Sequence, residues 1–135
     1  MKFLSIYKTT ERGVPPSPEE MARMGKLVEE GMKAGYLLGT EGCLPSALGA
    51  RVCRSGGKLT VTDGPFSEAK EVVGGYWVIQ VKSREEALEW ASRIPGKDNE
   101  MVEVRRMFEI TDFDPEIQKK FGDAYVEMGG AELGQ

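Results

Sequence analysis

Apolar and polar positions alternate from Lys2 to Lys8, with Phe3, Ser5 and Tyr7 on one side and Leu4 and Ile6 on the other. That period of two predicts a first strand. After a loop through Gly13, Pro15 and Pro16 the period changes. Ser17-Pro18-Glu19-Glu20 supplies a capping hydroxyl, a proline at the first helical position and a glutamate at the third, which together start a helix. Met21, Met24, Val28 and Met32 recur at helical spacing and are expected to face inward, leaving Glu29, Glu30 and Lys33 in water. Gly35 marks the end of the helix.

Tyr36 to Leu44 reads as a second strand, and Ala50 to Arg54 with Lys58 to Thr62 as a hairpin turned by Ser55-Gly56-Gly57. An Asp63-Gly64-Pro65-Phe66 turn follows, and Gly74-Gly75 leads into the β-favouring run Tyr76 to Val81. Ser83-Arg84-Glu85-Glu86 repeats the capping pattern and opens a second helix with Ala87, Leu88, Ala91 and Ile94 inward, stopped by Pro95-Gly96. A last strand runs from Met101 to Ile110, with Val102 and Val104 on one side and Glu103, Arg105 and Met107 on the other. Asp114-Pro115-Glu116 starts a further helix, where Ile117, Phe121, Ala124, Tyr125 and Met128 share a face, and Gly129, Gly130 and Gly134 suggest a frayed end.

The order is two β-α-β halves with an inserted hairpin, the plan of a ferredoxin-like α+β domain over residues 1–113, followed by a helical tail over 114–135. Two helices cover one sheet face. The other, expected to carry Phe3, Tyr7, Tyr76 and Val78, needs a second copy of the sheet, so a homodimer is expected.

Composition narrows the function. The chain has 135 residues, 18 Lys plus Arg against 22 Asp plus Glu, and a net charge of -4. Such a balance argues against nucleic acid as a partner. No apolar run approaches the ~18 residues of a membrane span, and the stretch MKFLSIYKTT reads as a strand and not an export signal. With only Cys43 and Cys53, no disulfide framework is expected, and the cytoplasm is the expected compartment. There is no histidine. That removes every imidazole-based mechanism and the commonest metal ligand, so neither a metal nor a cofactor is expected.

The stretch VTDGPFSEAKEVVGGYWVIQVKSREEALEWASRIP, residues 61–95, resembles the DGPF signature of the YCII-related family. Upstream, PSPEEMARMGKLVEEGMKAGYLLGTEGCLPS is similar in its helix, Ala-Gly turn and Gly-x-Leu-x-Pro segment, and the likeness covers roughly residues 1–113. The resemblance implies a ferredoxin-like fold paired into a dimeric α+β barrel with a cavity between the sheets. It also implies, for part of this branch, a link with extracytoplasmic-function sigma factors. In the wider group a His and Asp pair is the proposed catalytic dyad, and one relative removes chloride from a chlorinated aromatic; this chain has no histidine for such a dyad.

Asp63 is either a carboxylate base or ligand anchor, or a turn residue bonding its own following backbone, with Phe66 plugging the core beneath. Arg105 and Glu103 are either a ligand grip for a carboxylate or phenolate, or members of an ion pair with a neighbouring strand. Tyr7, Tyr76 and Gln80 are candidates for a pocket lining, and Arg51 either joins them or sits on an exposed hairpin. Cys53 lies between Arg51 and Arg54, which favours a thiolate, whereas the bland reading is a buried inert thiol. Trp77 and Trp90 are expected in the core, and the charged run 67–71 in a solvated loop. Two functions emerge: a dimeric small-molecule-binding domain with weak lyase or isomerase chemistry on carboxylate and tyrosine groups, or a non-enzymatic accessory or regulatory module that binds another protein.

Overall fold

The computed structural model describes residues 1–11, 15–66 and 71–127. Gly13, Met128, Gly129, Gly130, Gly134 and most of the charged run, residues 67–70, lie outside the described residues. The elements are β1 (Lys2–Thr9), α1 (Pro18–Ala34), β2 (Leu37–Gly42), β3 (Ala50–Ser55), β4 (Lys58–Asp63), β5 (Val72–Gln80), α2 (Arg84–Ser92), β6 (Met101–Arg106) and α3 (Pro115–Glu127). Both helix starts follow from local chemistry. The Ser17 and Ser83 hydroxyls accept hydrogen bonds at 3.2 Å from the backbone N–H groups of Glu20 and Glu86. Gly35 ends α1 at φ 82°, where a side chain would be strained.

The main sheet is antiparallel with strand order β2-β5-β1-β6. Each β-α-β half therefore brackets a strand of the other half, which is the ferredoxin-like arrangement. The hairpin β3–β4 forms a separate two-stranded sheet inserted between the halves.

Cross-strand register decides which residues share a face. Phe3 lies opposite Ile79 and Ser5 opposite Trp77, and these four are buried together with Leu37, Leu27, Ala87 and Trp90 under α1 and α2. Phe3 and Tyr7 thus belong to the helix-covered face, not the open one, and Tyr7 packs its ring edge-on against Trp77 at 6.4 Å. The alternation of β1 was legible, but which of its two sides met the helices was not.

Helix α1 also turns differently from its methionine spacing. Met21 and Met32 are exposed, and the inward stripe runs through Met24, Leu27, Val28 and Gly31. Gly31 permits this rotation, because a Cβ there would lie 2.8 Å from the Cβ of Leu37. On α2 the buried residues are Ala87 and Trp90, while Leu88 is exposed. Strand β6 stops at Arg106, short of the expected Ile110, which instead opens a 3₁₀ turn, folds inward and is only 1% exposed. Arg106 fastens that inward turn by donating to both Asp112 carboxylate oxygens, at 2.9 and 2.5 Å. This bidentate pairing raises the Arg106 pKa and lowers that of Asp112.

Helix α3 docks on its own chain. Phe113 stacks on Phe108 at 5.1 Å and meets Tyr125 edge-on at 6.0 Å, and the Tyr125 hydroxyl donates to the Phe108 carbonyl. Ile117 and Phe121 remain exposed. Within the described residues no helix is long and apolar enough to cross a membrane.

Candidate functional site

The sheet face turned away from α1 and α2 is built from alternate residues of its four strands. Register places Glu41, Tyr76, Ile6 and Glu103 in one row, and Gly39, Val78, Leu4 and Arg105 in the next. Gln80 lies opposite Lys2 at one end, and Val73, Lys8 and Met101 align at the other. A bulge between Tyr7 and Lys8 sets that last row, since Tyr7 pairs with Gly75 and Lys8 with Val73, skipping Gly74. A Cβ at Gly74 would sit 2.8 Å from the Tyr7 ring, so the bulge requires glycine there.

No residue of this face is buried. Leu4, Ile6 and Val78 are half-buried, and Tyr76, Val73 and Met101 are exposed, which leaves an apolar strip edged by charge. Lys8 donates to Glu103 at 3.1 Å and lies 3.7 Å from Glu71. The hydrogen bond to Glu103, ahead of the two acids' charges, raises the Lys8 pKa. Glu103 therefore has the neighbouring-strand partner that the sequence offered as one of its two readings. Arg105 does not share it: among the described residues its guanidinium has no hydrogen-bond or ion-pair partner. Tyr76, Gln80, Glu103 and Arg105 are thus brought onto one surface, while Tyr7 is removed to the opposite side.

Arg51 and Asp63 form part of a second region. At the hairpin base, the turn Asp63–Phe66 packs on the 3₁₀ turn Ser46–Leu48. The Gly64 N–H donates to the Gly49 carbonyl at 2.9 Å, and a Cβ at Gly64 would fall 1.7 Å from the Ser46 carbonyl oxygen. Only glycine allows that approach. The Arg51 guanidinium lies over the Phe66 ring, 3.9 Å from its centroid, a cation–π contact. Phe66 is half-buried under Arg51 and is not part of the main core, which corrects the expectation that it plugs that core. Asp63 is exposed, and among the described residues its carboxylate makes no hydrogen bond, so the turn is held by its contacts with Gly49 and Ser46 and not by the Asp side chain. A groove of about 530 Å³ runs past Cys43, Ser46, Arg51, Phe66 and Val73. Cys53, expected buried, is exposed, as is Cys43.

Sequence reasoning missed the group that secures this region. Glu11 accepts hydrogen bonds from the Ser46 N–H at 2.5 Å and from the Ser46 hydroxyl at 2.6 Å, and Ser46 is buried. No local pattern joins residues 35 positions apart. The hydroxyl and then the backbone N–H hold the Glu11 carboxyl below its ordinary value of 4.5. A depressed carboxyl stabilises the fold fully above that ordinary value and loses its contribution as pH falls through the folded-state value. Glu11→Gln is therefore expected to lower the melting temperature near neutral pH, with the gap from wild type narrowing as pH falls below the ordinary carboxyl value of 4.5. Melting curves of both proteins across that range check it; a constant gap would show that ionisation of Glu11 plays no part.

The molecule so described is a ferredoxin-like α+β domain with one helix-covered and one open sheet face. The YCII-related domain family matches residues 1–111, and the chain belongs to that family. It is also similar to an uncharacterised protein of Rhizobium meliloti (strain 1021), 37% identical over 60 residues. That match spans 44% of this chain and about half, 48%, of the relative's length.

Proposed function

We propose that this chain is a homodimeric small-molecule-binding domain, in which a second copy covers the open sheet face and the ligand occupies the space between the sheets. The observation that carries the reading is Arg105, unpaired among the described residues, on a partly apolar face none of whose residues is buried. A guanidinium opposite Leu4, in a row that continues to Val78, suits a small carboxylate or phenolate, because its planar fork matches two oxygens while the apolar strip takes the hydrocarbon part. With no histidine in the chain, any proton transfer in that space falls to Tyr76 and the carboxylates Glu41 and Glu103. A weak lyase or isomerase step is the chemistry those groups support. A reducing cytoplasmic setting belongs to the same reading, since both cysteines are exposed free thiols.

A thermal-shift series with small carboxylates and phenolates tests it. At a hundredfold excess over Kd, a ligand should raise the wild-type melting temperature by roughly 5 °C or more. Arg105→Ala should abolish the rise while light scattering still gives the mass of a dimer. An equal rise in both proteins would remove Arg105 from the site, and a wild-type monomer would remove the enclosed space altogether.

The second reading is a module that binds another protein, such as a transcription regulator. It rests on Ile117 and Phe121, which α3 leaves 37% and 56% exposed. Under that reading Ile117→Ser/Phe121→Ser would lose the partner, and no ligand in the series would shift the wild type.

A further inference from the structure

The hairpin β3–β4 has its own unfinished packing. Among the described residues its strands pair only with each other in a two-stranded sheet, and every residue from Ala50 to Asp63 is exposed. The register sets Val52 opposite Val61 and Arg54 opposite Leu59, so these four share one face, while Arg51, Cys53, Thr60 and Thr62 share the other. Val52 and Val61 are each 67% exposed and Leu59 is 58% exposed. A lone two-stranded hairpin is marginal in water, and one with a bare apolar side is more so. Yet its base is fixed, by the Gly64 N–H to Gly49 carbonyl bond and by the seat of the turn on Ser46. It is a braced arm with one greasy side.

Two features of the same chain say what that side meets. The open sheet face is also apolar and also uncovered, and the arm does not bury it within one copy. In a two-fold pair, each arm can lie on the other copy's sheet, and one contact made twice closes the assembly. Charge agrees. The arm carries Arg51, Arg54 and Lys58 against Asp63 alone, a basic element in a chain of net charge -4. The edge strand β2 offers Glu41 on the open face, exposed and unpaired among the described residues. Arg54 is the cation on the arm's apolar side.

We propose that the β3–β4 arm reaches across to a second copy, laying Val52, Leu59 and Val61 on the edge of its open sheet and setting Arg54 against the partner's Glu41. This rests on the homodimer proposed above and specifies how the space between the sheets is closed: each chamber is walled by the other chain's arm.

Dilution series by analytical ultracentrifugation test it on the full chain. Arg54→Glu and Glu41→Arg should each weaken the dimer about tenfold or more, and the two together should recover most of the loss, because a reversed pair restores the attraction. Lys58→Glu, on the arm's other face, should leave the dimer unchanged, and Val52→Asp/Val61→Asp should weaken it most. A dimer indifferent to every arm substitution would overturn the arm while leaving the sheet-to-sheet dimer standing. Simple additivity of the two charge reversals would overturn the Arg54 to Glu41 pairing. A wild-type monomer would take away both the arm and the reading on which it rests.

Discussion

Trp90→Ala is expected to lower the unfolding free energy by about 3–5 kcal/mol, the cost of truncating a buried large aromatic. Trp90 is only 2% exposed and meets Trp77 edge-on at 6.0 Å, and Trp77 in turn meets Tyr7. Helix α2 has nine residues, of which only Ala87 and Trp90 are buried, so the indole is its main attachment to the sheet. Removing it leaves a void between α2 and the sheet that a short helix fills only by moving. Against a typical domain stability of roughly 5–15 kcal/mol, such a loss leaves a substantial unfolded population on mild heating. Leu88→Ala, two residues away on the exposed side of the helix, should cost far less. Urea unfolding followed by circular dichroism measures both. A loss below about 1 kcal/mol for Trp90→Ala would mean that α2 is held elsewhere.

Gly64→Ala should be the next most damaging change, at about 3 kcal/mol, the upper end of the usual cost of overpacking. The added Cβ would fall 1.7 Å from the Ser46 carbonyl oxygen and 2.6 Å from its carbon, and neither is the movable end of a side chain. The turn must swing away, which breaks the Gly64 N–H bond to Gly49 and pulls Phe66 from Ser46, whose hydroxyl accepts the Phe66 N–H at 3.4 Å. Asp63→Ala makes the useful contrast. Its exposed carboxylate holds nothing among the described residues, so its removal should stay within about 0.5 kcal/mol. Thermal melts of the pair decide where the structural weight of Asp63-Gly64-Pro65-Phe66 lies; a large loss at Asp63 with a small one at Gly64 would reverse the assignment.

The contrast at this turn shows how far the sequence could be read. Turn chemistry was legible, because glycine and proline act on their own backbone. The tight seat on Ser46 was not, because Ser46 and Glu11 enter from distant segments. The same division holds for the candidate site. Alternation placed Glu103 and Arg105 on one side of β6, and register then gave Lys8 to Glu103 and left Arg105 without a partner among the described residues. Tyr7 went the other way, since period-two spacing separates two sides without saying which one the helices cover.

By itself the sequence determined the local elements: capped helix starts at Ser17 and Ser83, strands with two distinct sides, the hairpin, and a chain without histidine. These depend on neighbours within a few residues, where spacing and side-chain type decide the outcome. Only the tertiary structure decided how α1 is rotated, which face of β1 is buried, and how the bulge at Gly74 aligns Lys8 with Val73. Those are choices among packings that satisfy the local rules equally well. They are settled by the fit of distant surfaces, such as Gly31 against Leu37 and Trp90 against Trp77.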